Sequence, residues 1–168
     1  SSEAQSSQLE AQSTSQFFSF SDSQKQKDSQ VLNNPQNYEK IRFLALTYTR
    51  LACIFSDKLC FSLAQELDHK AYHAYRSIND TISFLYASNN LGMYFYADNK
   101  TEQSRYWYNK TISESPQDNI YVSTAMNGLA QIYYDEGKID TAIYITKELI
   151  KKSDGSDRCS FEYSLAEI

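Results

Sequence analysis

Apolar residues recur along this chain at intervals of three and four, the spacing that lines one face of an α-helix. The first such run opens at Asn34-Pro35, where Asn suits the cap and Pro the first turn. It carries Ile41, Leu44, Tyr48, Leu51, Ala52 and Phe55, and ends at the polar turn Ser56-Asp57-Lys58. A second helix follows with Leu59, Leu63, Ala64, Leu67 and Ala71, up to a break and cap at Asn79-Asp80. The third carries Phe84, Leu85, Ser88, Leu91, Gly92 and Phe95, and turns at Asp98-Asn99-Lys100 into a fourth with Ser104, Trp107, Tyr108, Thr111 and Ile112. Ser115-Pro116 with Asp118 ends the fourth and starts the fifth. The fifth and sixth are clearest in NGLAQIYYDEGKIDTAIYITKELI (127–150), where Gly137 suits the positive φ just past a helix end. The polar stretch 153–157 precedes a seventh run, 160–168, that stops in mid-pattern; the expectation is a fragment of a longer protein, or a capping helix. Residues 1–33 break the pattern. Ser and Gln dominate there, which predicts a linker-like arm, or a first helix docked through Phe17, Phe18 and Phe20.

Within the helices one register recurs. A Leu followed by a small residue appears at Leu51-Ala52, Leu91-Gly92, Leu129-Ala130 and Leu165-Ala166. Three residues after the small one lies an aromatic, Phe55, Phe95 or Tyr133, and twelve after it a second small residue, Ala64, Ser104 or Ala142. Small residues at these places let two antiparallel helices approach closely. Seven after it lies the turn residue, Leu59, Asn99 or Gly137. Asn and Gly tolerate a left-handed conformation; Leu59 does not fit, so the first turn is expected to differ.

This register resembles the tetratricopeptide repeat, over roughly residues 38–168, in three full units and one partial. The small residues at 52, 92, 130 and 166 are spaced more widely than in the standard unit of about 34 residues, so the curvature is expected to deviate. The resemblance implies an all-α fold, a right-handed α-α superhelix of stacked helix–turn–helix hairpins over 34–168, with 1–33 as arm or docked helix. It also implies a non-catalytic scaffold that binds a protein or peptide along a concave groove lined by the first helix of each unit.

Residues one step off the core register are expected to face that groove. They are Leu46, Thr49 and Cys53 in the first unit, Tyr86, Asn89, Met93 and Tyr96 in the second, and Thr124, Asn127, Gln131 and Tyr134 in the third. Asn89 and Asn127 hold equivalent places. An amide can donate to and accept from an extended peptide backbone at once; the other reading is a bond to a neighbouring helix or to water. The tyrosines suit rigid anchors for a peptide, or wedges between units. A basic carboxylate clamp is disfavoured, because Asn90, Met93, Thr124 and Gly128 stand at the corresponding positions with no Lys or Arg.

Composition narrows the remaining classes. With 4 Gly and 2 Pro in 168 residues, a turn-rich β fold is disfavoured. A formal charge of −5 gives no electrostatic case for nucleic acid, and no apolar run reaches the ~20 residues of a membrane span. Cys53, Cys60 and Cys159 show no disulfide or zinc pattern, and free, mostly buried thiols are expected. His69 and His73 lie four apart with no third ligand in sight, and read as a surface or inter-helix pair. No phosphate loop or catalytic constellation is evident, and nothing in the pattern asks for a cofactor. The sequons at Asn79, Asn99 and Asn109 read as chance, the first two as helix-start chemistry. The alternatives are a regulatory or sensor segment of a larger bacterial signalling protein, in which the array transmits a signal or forms a homodimer, and an envelope lipoprotein scaffold. They correspond to a cytoplasmic or a bacterial envelope location.

Overall fold

The computed structural model describes residues 34–116, 119–153 and 155–167. Among these residues every regular element is helical: α1 (Pro35–Asp57), α2 (Phe61–Ser77), α3 (Thr81–Ala97), α4 (Thr101–Glu114), α5 (Ile120–Asp135), α6 (Ile139–Lys152) and α7 (Gly155–Glu167). The chain divides into two units, Ser1–Ile41 and Arg42–Ile168. In the first, the expected arm or docked helix at 1–33 lies outside the described residues, and Asn34 caps α1 as anticipated, its Oδ1 accepting from the Gln36 amide at 3.0 Å. In the second, each helix from α2 to α7 packs on the next, and α3 also packs on α5.

The turns explain the sequence of short connections. At the end of α1, α2, α3 and α5 one residue takes a positive φ: Leu59 (60°), Asn79 (55°), Asn99 (58°) and Gly137 (74°). The amide of the next residue then bonds back to an aromatic residue's carbonyl: Cys60 to Phe55, Asp80 to Tyr75, Lys100 to Phe95 and Lys138 to Tyr133, at 2.8–3.0 Å. These bonds satisfy carbonyls that a helix end would otherwise leave open. The first turn therefore does not differ from the others. Leu59 is forced into the left-handed region because the closure is shared, not because Leu prefers it. Asp80 caps α3 through Ser83, as expected. The cap of α5 is Asn119, which accepts from Tyr121 and Val122, and α7 starts at Gly155, ahead of the expected 160.

The small residues do meet at helix crossings. Ala52, Ala64, Ser104 and Ala142 are fully buried, and the Ser104 hydroxyl donates to the Gly92 carbonyl at 2.7 Å. Two register positions depart from expectation: Leu51 and Ala166 are exposed. Ser88 and Thr111 tie α3 to α4 by a buried hydroxyl pair at 2.8 Å. Tyr108 of α4 packs directly over two glycines. A Cβ added at Gly92 would lie 2.5 Å from its ring, and one added at Gly128 would lie 2.3 Å from it. The ring is thus held between α3 and α5, and both helices need glycine to admit it.

Two outcomes test this account. Leu59 is 75% exposed, so Leu59→Gly loses little burial and removes left-handed strain. It should stabilise the fold by about 1 kcal/mol and raise Tm by about 3 °C; a lower Tm would refute the strain. Gly128→Ala should cost about 1–3 kcal/mol by overpacking, read by urea unfolding. Combined with Tyr108→Leu, it should cost much less than in the wild-type background; additive losses would refute the wedge.

Candidate functional site

The residues expected to form a groove come from α1, α3 and α5, and several meet there. The Tyr86 ring on α3 lies 5.6 Å from that of Tyr121 on α5, and its hydroxyl lies 3.8 Å from Cys53 Sγ on α1. Tyr96 donates its hydroxyl proton to Asp135 Oδ2 at 2.6 Å, and Gln131 Nε2 donates to the other oxygen of that carboxylate at 3.0 Å. Burial, together with the adjacent carboxylate, pushes the Tyr96 hydroxyl up to about 12. Asp135 was not anticipated, although its place four residues after Gln131 is a helical neighbour's.

The members differ in exposure. Met93 is 46% exposed, and Gln131 is exposed. Thr124, Asn127 and Tyr134 are half-buried, and the Thr124 hydroxyl donates back to the Ile120 carbonyl. Asn89 is only 5% exposed, and its Oδ1 has no partner. The two asparagines are therefore equivalent in register but unequal in access. In the first unit Leu46 is exposed, Cys53 half-buried and accepting from the Tyr94 hydroxyl at 3.5 Å, and Thr49 buried. Asn90 and Gly128 are not groove positions: Asn90 is turned to Asp68, and Gly128 lies under Tyr108.

Sequence reasoning missed Asp68 altogether. It is fully buried on α2, and Asn90 Nδ2 donates to its Oδ2 at 3.0 Å. Its Oδ1 and the neighbouring Thr49 Oγ1 make no well-aligned hydrogen bond. Burial pushes the carboxyl up to about 7, against the opposing influence of Asn90, Thr49 and Tyr94, none of which carries a cation. The signal was present in the register. Asp68, Tyr108 and Thr146 each stand sixteen residues after the small residue at 52, 92 and 130, and all three are buried.

Other chemistry is sparse. The His69 and His73 rings lie 4.7 Å apart, and among the described residues no cluster of three metal-ligating side chains occurs. Cys60 and Cys159 are exposed and Cys53 half-buried, so the thiols are not mostly buried. No helix among the described residues is long and apolar enough to cross a membrane.

No family model matches the chain, and no curated protein matches it.

Asp68 gives a pH dependence with a definite sign. Its folded value, about 7, lies above the ordinary 3.8. Between these values the folded state keeps a proton that the unfolded state has lost, so stability falls as pH rises through the interval. Above it the penalty is complete, and on the order of a few kcal/mol. Asp68→Asn should flatten this slope in urea unfolding between about pH 4 and pH 7, the ends of that interval. It should also leave the variant more stable than wild type at the higher pH. A slope unchanged by the substitution would assign it to other groups.

Proposed function

We propose that the chain is a non-catalytic, tetratricopeptide-like array that holds an extended peptide along the face shared by α1, α3 and α5. One observation carries this reading: α3 packs directly on α5 although a whole helix separates them in sequence. Alternate helices then present one continuous surface, as in stacked hairpins. The recurrent turn and the buried small residues are what such a stack needs. The right-handed superhelical arrangement belongs to the same proposal.

On this surface Asn127 supplies an amide able to pair with a peptide backbone. Met93 offers an adaptable apolar contact. Tyr86 and Tyr96 are held in place by their partners, so they would lose little freedom on binding. Asp135 puts a carboxylate at the Tyr96 end, which favours a neutral or basic residue of the ligand there. Asn89 serves as packing.

A second reading has its own observation. On α1, Phe43, Leu46, Leu51 and Ile54 are exposed, Phe43 at 74%, and Phe43, Leu46, Thr47, Arg50 and Leu51 line a shallow recess. An apolar row of this kind suits packing against another folded element, as a regulatory segment or homodimer would require.

Selection from a displayed peptide library separates the two. The expected outcome is enrichment of extended sequences whose binding falls at least about tenfold in Asn127→Ala/Gln131→Ala and persists in Phe43→Asp. Loss in Phe43→Asp alone would move the interface to α1. No enrichment by the folded chain would sink the peptide reading.

A further inference from the structure

A second recess, of about 640 Å³, lies on other helices, between α2 and α4. That volume is within the range of small-molecule sites, about 300–1,000 Å³. Its floor is a set of fixed rings. Trp107 meets Tyr72 edge-on at 5.1 Å and His69 at 5.5 Å, and Tyr106 lies 5.4 Å from Trp107. Trp107 and Tyr72 are buried by the fold itself, while Tyr106 and His69 remain exposed at the edge. The platform therefore exists before any ligand arrives, which lowers the ordering cost of binding.

The rim decides the sign of charge. Arg76 and Lys110 converge on one carboxylate, Glu114, which also accepts the Tyr72 hydroxyl at 2.6 Å. Burial alone would raise the Glu114 carboxyl, but hydrogen bonds from Tyr72, Lys110 and Arg76 bring it below its ordinary value, so it stays ionised. Two fixed cations against one carboxylate leave an excess positive charge, in a chain whose formal charge is −5. Burial first, and His73 second, lower the His69 pKa, so His69 adds no charge at neutral pH. Arg76 uses Nη1 for both Tyr72 and Glu114. The rest of its planar fork is the part that pairs well with a carboxylate or phosphate.

An aromatic recess can also attract cations. Here that place is already taken: the Arg76 guanidinium lies 5.7 Å from the centre of the Tyr72 ring, and the Lys110 ammonium lies 5.6 Å from that of Tyr106. A further cation would meet two like charges. A flat apolar group that carries a negative charge meets two cations and one carboxylate, Glu114, so the balance still favours it.

We propose that the recess between α2 and α4 is a binding site for a small aromatic anion, a flat ring bearing a phosphate or carboxylate, seated against Trp107 with its charge between Arg76 and Lys110. It is independent of the peptide face proposed above.

Trp107 is the only tryptophan of the chain, so its fluorescence reports on this recess alone. The probe is phenyl phosphate, with inorganic phosphate and phenol as its two halves. The expected result is a saturable change with phenyl phosphate and a weaker response to either half. Arg76→Gln and Lys110→Gln, each checked for helical content by circular dichroism, should weaken binding at least about tenfold. Glu114→Gln removes the competing carboxylate and should tighten it. A short phosphotyrosyl peptide distinguishes the source of the ring. Affinity equal to that of phenyl phosphate assigns a free ligand, and tighter binding assigns a ring carried by a peptide. No saturable change with phenyl phosphate, equal binding of inorganic phosphate, or weaker binding by Glu114→Gln would each overturn the proposal.

Discussion

The packing of this chain depends most on one side chain held between two backbones. Tyr108 belongs to α4, yet its ring fills the space between α3 and α5. Any side chain at Gly92 or Gly128 would occupy the volume of the ring, and the ring cannot retreat from one helix without striking the other. Glycine here serves close approach, not backbone freedom, since both positions lie within helices. Once α3 and α5 are fixed about the ring, their facing side chains are fixed too. The Tyr86–Tyr121 ring contact and the Tyr96–Asp135 hydrogen bond both join these two helices, and they extend the contact along its length.

The corresponding place one step earlier is filled by opposite chemistry. Where α4 offers Tyr108, α2 offers Asp68. Where α5 offers Gly128, two residues before its small Ala130, α3 offers Asn90, two residues before Gly92. A large ring is matched by an empty position, and a short carboxylate by an amide that both fills the gap and bonds to it at 3.0 Å. Each pair is complementary in volume, but only the second buries a carboxylate. A carboxylate so enclosed, with one oxygen lacking a well-aligned hydrogen bond and no cation beside it, favours the protonated form. Around Asp68 the α1–α2–α3 region therefore loses stability as pH rises toward neutrality, whereas the Tyr108 contact of α3, α4 and α5 rests on shape.

Much of this was legible in the sequence because burial imposes period. The helices, the small residues at the crossings and the turn positions all follow from three-to-four spacing and a shared register. What escaped was decided by partners far away in sequence. Leu59 is read by local preference as unfit for a left-handed turn, yet the bond from Cys60 to Phe55 closes that turn as it does the others. Asn89 and Asn127 look alike in register, but Asn89 is buried and Asn127 only half-buried. Asp68 was legible in principle, since its register position is a buried one. Reading along the helix for apolar residues passes over a carboxylate, and only alignment of the units against one another exposes it.

Pairing consecutive helices while alternate ones also touch leaves two kinds of surface, and the sequence treats them differently. The face of α1, α3 and α5 carries amides, hydroxyls and Met93, and its charge at the α5 end is the carboxylate of Asp135. Such a surface matches a polypeptide backbone better than an ion. Between α2 and α4 the polar groups are cations gathered on Glu114, and the apolar ones are rings already locked edge to edge. Arg76, Lys110, Tyr72 and Glu114 do hold α2 to α4, and for that role one cation would suffice to neutralise one carboxylate. The second cation leaves the cluster with one net positive charge beyond what that contact requires. An anion entering the recess would neutralise that excess, which is the physical basis of the site proposed between α2 and α4.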